Sequence, residues 1–358
     1  MKVLIAGGGT GGHIFPAISI AEEIIGRSAD NDVLFVGTLR GLEKELINKK
    51  GFNIEYIRTT GMVGKGMISK AFSLFNAFKG VIDSMRIIRN YKPDIVIGVG
   101  GYVSGPVVLS ARLMALPTAI CEQNSVPGLT NRILSKITNR IFATFDESLR
   151  FFNPGKTVIT GNPVRNEVLN AASGQNNGNK DSFTVFITGG SQGASGINTI
   201  VPRAMGEIRD KNIRIIHQTG SGELEKVRNL YDTMDLRAEV HAFLDNIGDI
   251  YRESDLVISR AGAGAVSELT SLGKPSILIP YPHAANNHQL TNARFMENSG
   301  AALIVEENNL DHIIFSKIVD KILNKQTLDE MSRRSSELGK PDAAKTIADE
   351  IIKLVERK

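Results

Sequence analysis

Cysteine is almost missing from this 358-residue chain, where Cys121 stands alone. A single thiol excludes an intrachain disulfide and is compatible with a reducing cytosol, although it fixes no compartment. Long apolar runs are missing too. The most membrane-like stretch, IVIGVGGYVSGPVVLSARLMALPTAI (95–120), is broken by Pro106, Arg112, Pro117 and four glycines. It reads as strand, loop, helix and strand, not as a span. Only Lys2 and four apolar residues stand between Met1 and the first glycines, too few for a signal-peptide core, so no export signal is expected. Dense Lys/Arg clustering, the mark of a nucleic-acid binder, is absent, and no nucleic-acid partner is expected. The net charge of +4 is mild and suits an anionic ligand or an anionic membrane surface.

What is present is an ordinary globular composition, 42% hydrophobic and 22% charged, on a chain long enough for two domains of roughly 150–180 residues. Short runs of Val, Ile and Phe alternate with stretches of helical period, the pattern of parallel β-α-β units and hence of an α/β fold. Strands are expected at 3–6, 33–36, 54–57, 95–99, 118–121 and 140–143. A break follows near Gly161-Asn162-Pro163, then a polar stretch, AASGQNNGNKD (171–181), that suits a surface loop. The pattern restarts with strands at 183–188, 214–218, 239–242, 256–259, 276–279 and 302–304. VLIAGGGTGG and VFITGGSQGA open the two halves alike, so two similarly built domains are expected, 1–163 and 164–342. The tail, 343–358, has helical spacing and is expected to pack back, onto the first domain.

The first half opens VLIAGGGTGGHIFP, in which Gly7, Gly9 and Gly12 satisfy G-x-G-x-x-G. A dinucleotide site also needs an acid at the end of the second strand, roughly 20 residues on, to hold a ribose. That strand ends in Gly37-Thr38-Leu39-Arg40, and Glu43 comes too late. The Walker G-x-x-x-x-G-K-[ST] motif is also missing. The loop is therefore weak support for a nicotinamide cofactor, and no cofactor is expected. Two further glycine loops, GVGGYVSGP (98–106) and GGSQGASG (189–196), and a fourth junction, SRAGAGAVSE (259–268), repeat the same device. A helix N-terminus offers unpaired amides and partial positive charge, and glycine lets an anion approach them. One such loop is an ordinary α/β turn; four beyond strand ends point to a bound anion.

Some polar residues stand out. Glu268, four residues after Gly264, is expected in the opening turn of its helix. It either accepts from both hydroxyls of a ribose or simply favours the helix dipole. His13 is either a general base at neutral pH or a satisfied structural histidine. Arg165 either reaches a phosphate or pairs with an acid.

Taken together, GGTGGHIFP (8–16), GVGGYVSGP, EQNSVPGLTN (122–131), GNPVR (161–165), GGSQGA (189–194), SRAGAGAVSE and PYPHAANNHQLTNA (280–293) resemble the MurG family of N-acetylglucosaminyltransferases, in family order and over almost the whole chain. The resemblance implies a glycosyltransferase-B architecture, two Rossmann-like domains facing across a cleft. It implies transfer of N-acetylglucosamine from UDP-N-acetylglucosamine to the muramic acid 4-hydroxyl of lipid I, forming lipid II, at the cytoplasmic face of the bacterial membrane. By motif match, Glu268 holds the ribose, Ser191 the diphosphate, Leu244 uracil through its backbone, and Gln289 the sugar. Ala263 and Gly264 supply amides near the phosphates. Thr10, Gly11, Gly12, Asn124 and Arg165 match further donor positions. His13, Tyr102, Ser104 and Asn124 fall where the acceptor sits, with His13 as the base. Cys121 stands where many relatives carry histidine, and Asn286-Asn287 where acids are common. No Asp-x-Asp motif of the metal-dependent kind is recognised, and no metal site is expected.

A lipid-linked acceptor calls for a membrane-facing surface. KGMISKAFSLFNAFKGVIDSMRIIRN (65–90) carries Ile68, Phe72 and Phe75 at near-helical spacing, with Lys70 and Lys79 close by. Such a stripe either lies on anionic lipid or is buried in the protein's own core. Three rival readings share the glycine loops: a UDP-hexose transferase acting on a diacylglycerol-type lipid, a nicotinamide-dependent dehydrogenase and a non-catalytic nucleotide-binding module.

Overall fold

The computed structural model describes residues 1–8, 11–39, 43–59, 67–172 and 182–356, with the side chains of residues 43, 67–77 and 172 outside the description. The chain divides into two compact units, 1–165 with 341–358, and 166–340. The expected boundary at 163/164 thus compares with 165/166 in the structure.

The first unit contains strands β1 (Lys2–Ala6), β2 (Asp32–Gly37), β3 (Asn53–Tyr56), β4 (Ile95–Gly98), β5 (Thr118–Glu122), β6 (Arg140–Ala143) and β7 (Thr157–Ile159). Among the described residues they form one parallel sheet in the order β3-β2-β1-β4-β5-β6-β7. Between the strands run α1 (Gly11–Arg27), α2 (Glu43–Lys49), α3 (Met67–Tyr91), α4 (Gly101–Leu113) and α5 (Leu129–Leu134). Both sheet faces are covered. Val3, Ile5, Ile95 and Ile97 join one core with Ile14, Ile20 and Ile24 of α1; Leu4, Ala6 and Val96 join the other with Val103, Val107 and Ala111 of α4. Successive strand side chains point to opposite faces, so a strand buried on both reads as an unbroken apolar run.

The second unit contains α6 (Asn166–Ala172), β8 (Phe183–Thr188), α7 (Ser195–Glu207), β9 (Ile213–Gln218), α8 (Leu224–Thr233), β10 (Ala238–His241), α9 (Ile247–Glu253) and β11 (Leu256–Ser259). It continues with α10 (Ala263–Ser271), β12 (Ser276–Leu278), α11 (His288–Ser299), β13 (Ala302–Ile304), α12 (His312–Ile322) and α13 (Lys325–Leu338). Its parallel sheet runs β10-β9-β8-β11-β12-β13. The last helix, α14 (Ala343–Glu356), belongs to the first unit, where Ile347, Ala348 and Ile351 enter the α1 core. Arg27 pairs with Asp349 at 2.6 Å across the α1–α14 contact.

Three sequence expectations need correction or limits. β7 was not anticipated: its three residues are half-buried at the sheet edge, so no buried run marks it. In the stretch 171–181, Ala171 and Ala172 end α6, and 173–181 lie outside the described residues. The chain does hold a literal Asp-x-Asp string, Asp30-Asn31-Asp32. It lies at the amino end of β2, the opposite edge from the glycine loops, and Asn31 there donates to the Ile24 carbonyl at 2.7 Å.

Candidate active site

In an open parallel sheet, ligands collect beyond the carboxyl ends of the strands where the strand order reverses. In the first unit that point is β1, between β2 and β4. The loops after β1, β4 and β5 meet there so tightly that several glycines admit no other residue. A β-carbon at Gly7 would lie 2.2 Å from Val99 Cγ2, one at Gly101 2.5 Å from the Gly8 carbonyl oxygen, and one at Gly100 2.6 Å from His13 Nδ1. Gly100 and Gly101 also have φ of 104° and 75°, a region that disfavours side chains.

His13 is the third residue of α1, and its Nδ1 lies 3.1 Å from Gln123 Oε1. Gln123, just past β5, is buried and donates through Nε2 to the Val99 carbonyl at 2.9 Å. The neighbouring Glu122 anchors the loop that presents it, accepting from Asn124 N at 3.0 Å, Gly128 N at 3.2 Å and Asn131 Nδ2 at 2.8 Å. Burial pushes the Glu122 carboxyl above the ordinary carboxylate range, and these donors oppose the shift. Asn124 is half-buried in the same loop. Arg165 lies with its guanidinium 4.6 Å from the Phe15 ring centroid, which places it beside α1. Tyr102 OH is 3.4 Å from Thr38 Oγ1. Gly11 and Gly12 open α1, whereas Thr10 lies outside the described residues.

Ser104 departs from expectation. It is fully buried, and its hydroxyl accepts from Gly100 N at 3.0 Å with the Ala6 and Gly100 carbonyls within 2.9 and 2.8 Å. It braces β1 against the loop after β4 and is not placed to touch an acceptor. Cys121 is likewise buried, its thiol pushed up to about 12 by desolvation, which leaves it unreactive.

In the second unit the order reverses at β8, between β9 and β11. The loop after β8 takes φ of 89° at Gly190 and 76° at Gly193. Gly193 is pressed against the Thr219 carbonyl, leaving no room for a side chain, while Ser191 is exposed at the loop tip. Two helix N-termini flank this point, and they differ. Around α7, Glu223 accepts from Ser195 Oγ at 3.0 Å and Asn198 Nδ2 at 2.8 Å, and Glu307 lies against Gly196. Glu223 also pairs with Lys226 at 3.0 Å and Glu307 with Arg260, so this N-terminus is already filled by paired side chains. The N-cap of α10 is Gly262, with no side-chain cap and no acid in the first turn. Its first intrahelical bond is Val266 N to Gly262 O, so the amides of Ala263, Gly264 and Ala265 have no acceptor within the helix. A β-carbon at Gly262 or Gly264 would meet open space. By charge and access, α10 is the better anion seat.

Glu268 sits in the second turn of α10, not its opening turn, because the helix starts at Ala263. The buried Tyr251, absent from the sequence expectations, donates to Glu268 Oε2 at 3.1 Å. The amide of Leu244 donates to Gln218 Oε1 at 3.0 Å, so its carbonyl is the backbone group left to address a ligand. Gln289, second residue of α11, accepts from Tyr281 N at 2.9 Å. Just before it, Asn286 and Asn287 take φ of 53° and 54°, a turn asparagine tolerates better than most residues. Gln123, Gln218 and Thr38 share one signal: each is a polar residue at or just past the carboxyl end of a buried strand.

Comparison with known proteins fits this geometry. The glycosyltransferase family 28 N-terminal domain matches residues 3–143, and the family 28 C-terminal domain matches 184–347. The UDP-N-acetylglucosamine–N-acetylmuramyl-(pentapeptide) pyrophosphoryl-undecaprenol N-acetylglucosamine transferase of Thermodesulfovibrio yellowstonii is 43% identical over 100% of both chains. The enzyme of the same name from Geobacter metallireducens is 41% identical over 98% of each. The crystal structure of Acinetobacter baumannii MurG aligns with a TM-score of 0.82 at 30% identity, covering 98% of this chain and 99% of that one. The chain belongs to the MurG family. It is a UDP-sugar glycosyltransferase of peptidoglycan synthesis, and its two α/β units make a glycosyltransferase-B-like fold. The dehydrogenase and non-catalytic readings are thereby set aside. Neisseria meningitidis UDP-GlcNAc 2-epimerase, solved with UDP-GlcNAc, shares the fold at 14% identity and a TM-score of 0.69.

Proposed function

We propose that this chain transfers N-acetylglucosamine from UDP-N-acetylglucosamine to the muramic acid 4-hydroxyl of lipid I by a single inverting displacement, giving lipid II and UDP. The observation that carries the donor half is α10, uncapped and free of acid in its first turn, with Glu268 in the second. The diphosphate is assigned to the Ala263 and Gly264 amides and Ser191. Glu268 accepts from the ribose hydroxyls, the Leu244 carbonyl from uracil N3–H, and Gln289 donates to the sugar. Arg165, Asn124, Gly11, Gly12 and Thr10 are assigned to the donor's sugar and diphosphate side.

On the acceptor half, His13 takes the proton of the 4-hydroxyl as that oxygen bonds to the anomeric carbon. The bond from the anomeric carbon to the β-phosphate oxygen breaks, and its electron pair leaves with UDP. Amides already aimed at the diphosphate stabilise the growing charge without reorganising. Tyr102 and Asn124 orient the acceptor. Neither a cofactor nor a metal is called on by these steps.

We also place this chain peripherally on the cytoplasmic face of the membrane. No described helix is long and apolar enough to cross one. The adjoining helices α3, α4 and α5 expose Phe78, Ile82, Leu113, Leu129 and Ile133, with Phe78, Leu113 and Leu129 each about two-thirds exposed. Lys79, Arg112 and Arg132 lie among them in the chain, an apolar-and-basic set suited to anionic lipid. Ile68, Lys70, Phe72 and Phe75 share α3, but their side chains lie outside the description. Incubation with UDP-N-acetylglucosamine and a lipid I analogue should yield the disaccharide product, while UDP-glucose and NADH should not support turnover. His13→Ala should lower turnover by ~10²–10⁴-fold; a change of only a few-fold would remove His13 from the reaction.

A further inference from the structure

The buried side chain of Gln123 has two polar ends, and each faces a different partner. Its Nε2 lies 2.9 Å from the Val99 carbonyl oxygen, and its Oε1 lies 3.1 Å from His13 Nδ1. A backbone carbonyl only accepts hydrogen bonds, so the NH₂ end must face Val99. The reversed carboxamide would press two oxygens together at that distance in a site nearly without solvent, where Gln123 is 3% exposed. Oε1 is therefore held toward the imidazole, and a carboxamide oxygen is also only an acceptor. A neutral His13 must then carry its proton on Nδ1, which makes Nε2 the basic nitrogen. Gly100 completes the arrangement, since a β-carbon there would stand 2.6 Å from Nδ1 and displace the ring.

We infer that Gln123 is a positioning residue: held by the Val99 carbonyl, it selects the Nδ1–H tautomer of His13 and so presents Nε2 to the acceptor hydroxyl. This deepens the reading of His13 as the base and rests on it. Without the acceptor oxygen, neutral imidazole is free to shift its proton to Nε2, and in that form the nitrogen assigned to the 4-hydroxyl has no lone pair for it. The neighbouring elements bring Glu122 close in sequence, but its carboxylate is engaged with Asn124, Gly128 and Asn131. Gln123 Oε1 is the acceptor that faces Nδ1, at 3.1 Å.

The test is ¹⁵N NMR of the full chain labelled at histidine, with His13→Gln used to assign the His13 signals. The native protein should show the protonated-nitrogen shift at Nδ1 and the lone-pair shift at Nε2. Gln123→Leu should lose that preference and lower kcat by ~10²-fold, with KM for UDP-N-acetylglucosamine changed by no more than about threefold. Gln123→Glu, protonated in this buried place, donates to the Val99 carbonyl and keeps an acceptor facing Nδ1. It should retain the Nδ1–H form and recover most of the kcat lost in the leucine variant. If the leucine variant does not fold, native NMR with the tautomer and kcat of the glutamate variant still decides. An Nε2–H tautomer in the native protein, or a leucine variant with native kcat, would overturn the inference. A native Nδ1–H tautomer that is lost in Gln123→Leu, alongside full turnover by His13→Ala, would remove the base assignment while leaving the tautomer selection standing.

Discussion

His13 occupies space that Gly100 leaves open, 2.6 Å from where a β-carbon would stand. Gly100 also holds φ at 104°, a conformation that costs ~1–3 kcal/mol with a side chain. Gly100→Ala should therefore displace the imidazole and lower turnover by ~10–100-fold. UDP affinity should fall much less than turnover, because the groups assigned to ribose and uracil lie in the second unit and are untouched. Titration with UDP beside steady-state kinetics separates the two effects. Weakened UDP binding with native kcat would place the loop elsewhere in the cycle.

Glu268 and Tyr251 give a graded pair. Glu268→Gln removes the negative acceptor assigned to the ribose and should raise KM for UDP-N-acetylglucosamine by ~10–100-fold, about 1.4–2.8 kcal/mol, with kcat little changed. Tyr251→Phe removes only the 3.1 Å bond that orients the carboxylate and should cost a few-fold, roughly 0.5–1 kcal/mol. A larger effect from Tyr251 than from Glu268 would contradict this assignment.

Glu122 serves the site through its loop. Glu122→Ala leaves Asn131 Nδ2 and the amides of Asn124 and Gly128 without this acceptor, and should lower unfolding free energy by ~2–4 kcal/mol. Turnover should fall further than donor affinity, because Gln123, which faces His13, rides on that loop. Denaturant midpoints and UDP titration check both parts.

A pH dependence follows from His217. It is fully buried between Tyr231 OH, 3.0 Å from Nδ1, and Asn198 Oδ1, 3.1 Å from Nε2. Desolvation lowers its pKa from 6.5 to about 3. The unfolded chain therefore binds a proton below pH 6.5 that the folded chain refuses, so this contribution to stability is complete above pH 6.5 and is lost as pH falls toward 3. The slope is about 1.4 kcal/mol per pH unit. Urea unfolding between pH 7 and 4 should show it, and His217→Gln should flatten the curve. An unchanged slope in that variant would mean other groups carry the effect.

Much of this was legible in the sequence. The apolar runs locate twelve of the strands, most plainly those such as β4 that are buried on both faces and carry no polar residue to confuse the pattern. The glycine loops follow them because close backbone approach admits nothing larger. The helix start at Ala263 escaped because Gly262 gives no capping signal. The brace made by Ser104 was not legible, because a buried serine and a substrate-facing serine look alike in sequence. The His13–Gln123 contact spans 110 residues of sequence separation and exists only because β1, β4 and β5 are sheet neighbours.

The most direct measurement is the anomeric configuration of the new glycosidic bond, read by NMR on the disaccharide formed from UDP-N-acetylglucosamine and a lipid I analogue. A single displacement assisted by His13 predicts a β linkage to the 4-hydroxyl from the α-linked donor, with one UDP released per bond. An α linkage, or UDP release without disaccharide, would contradict the account.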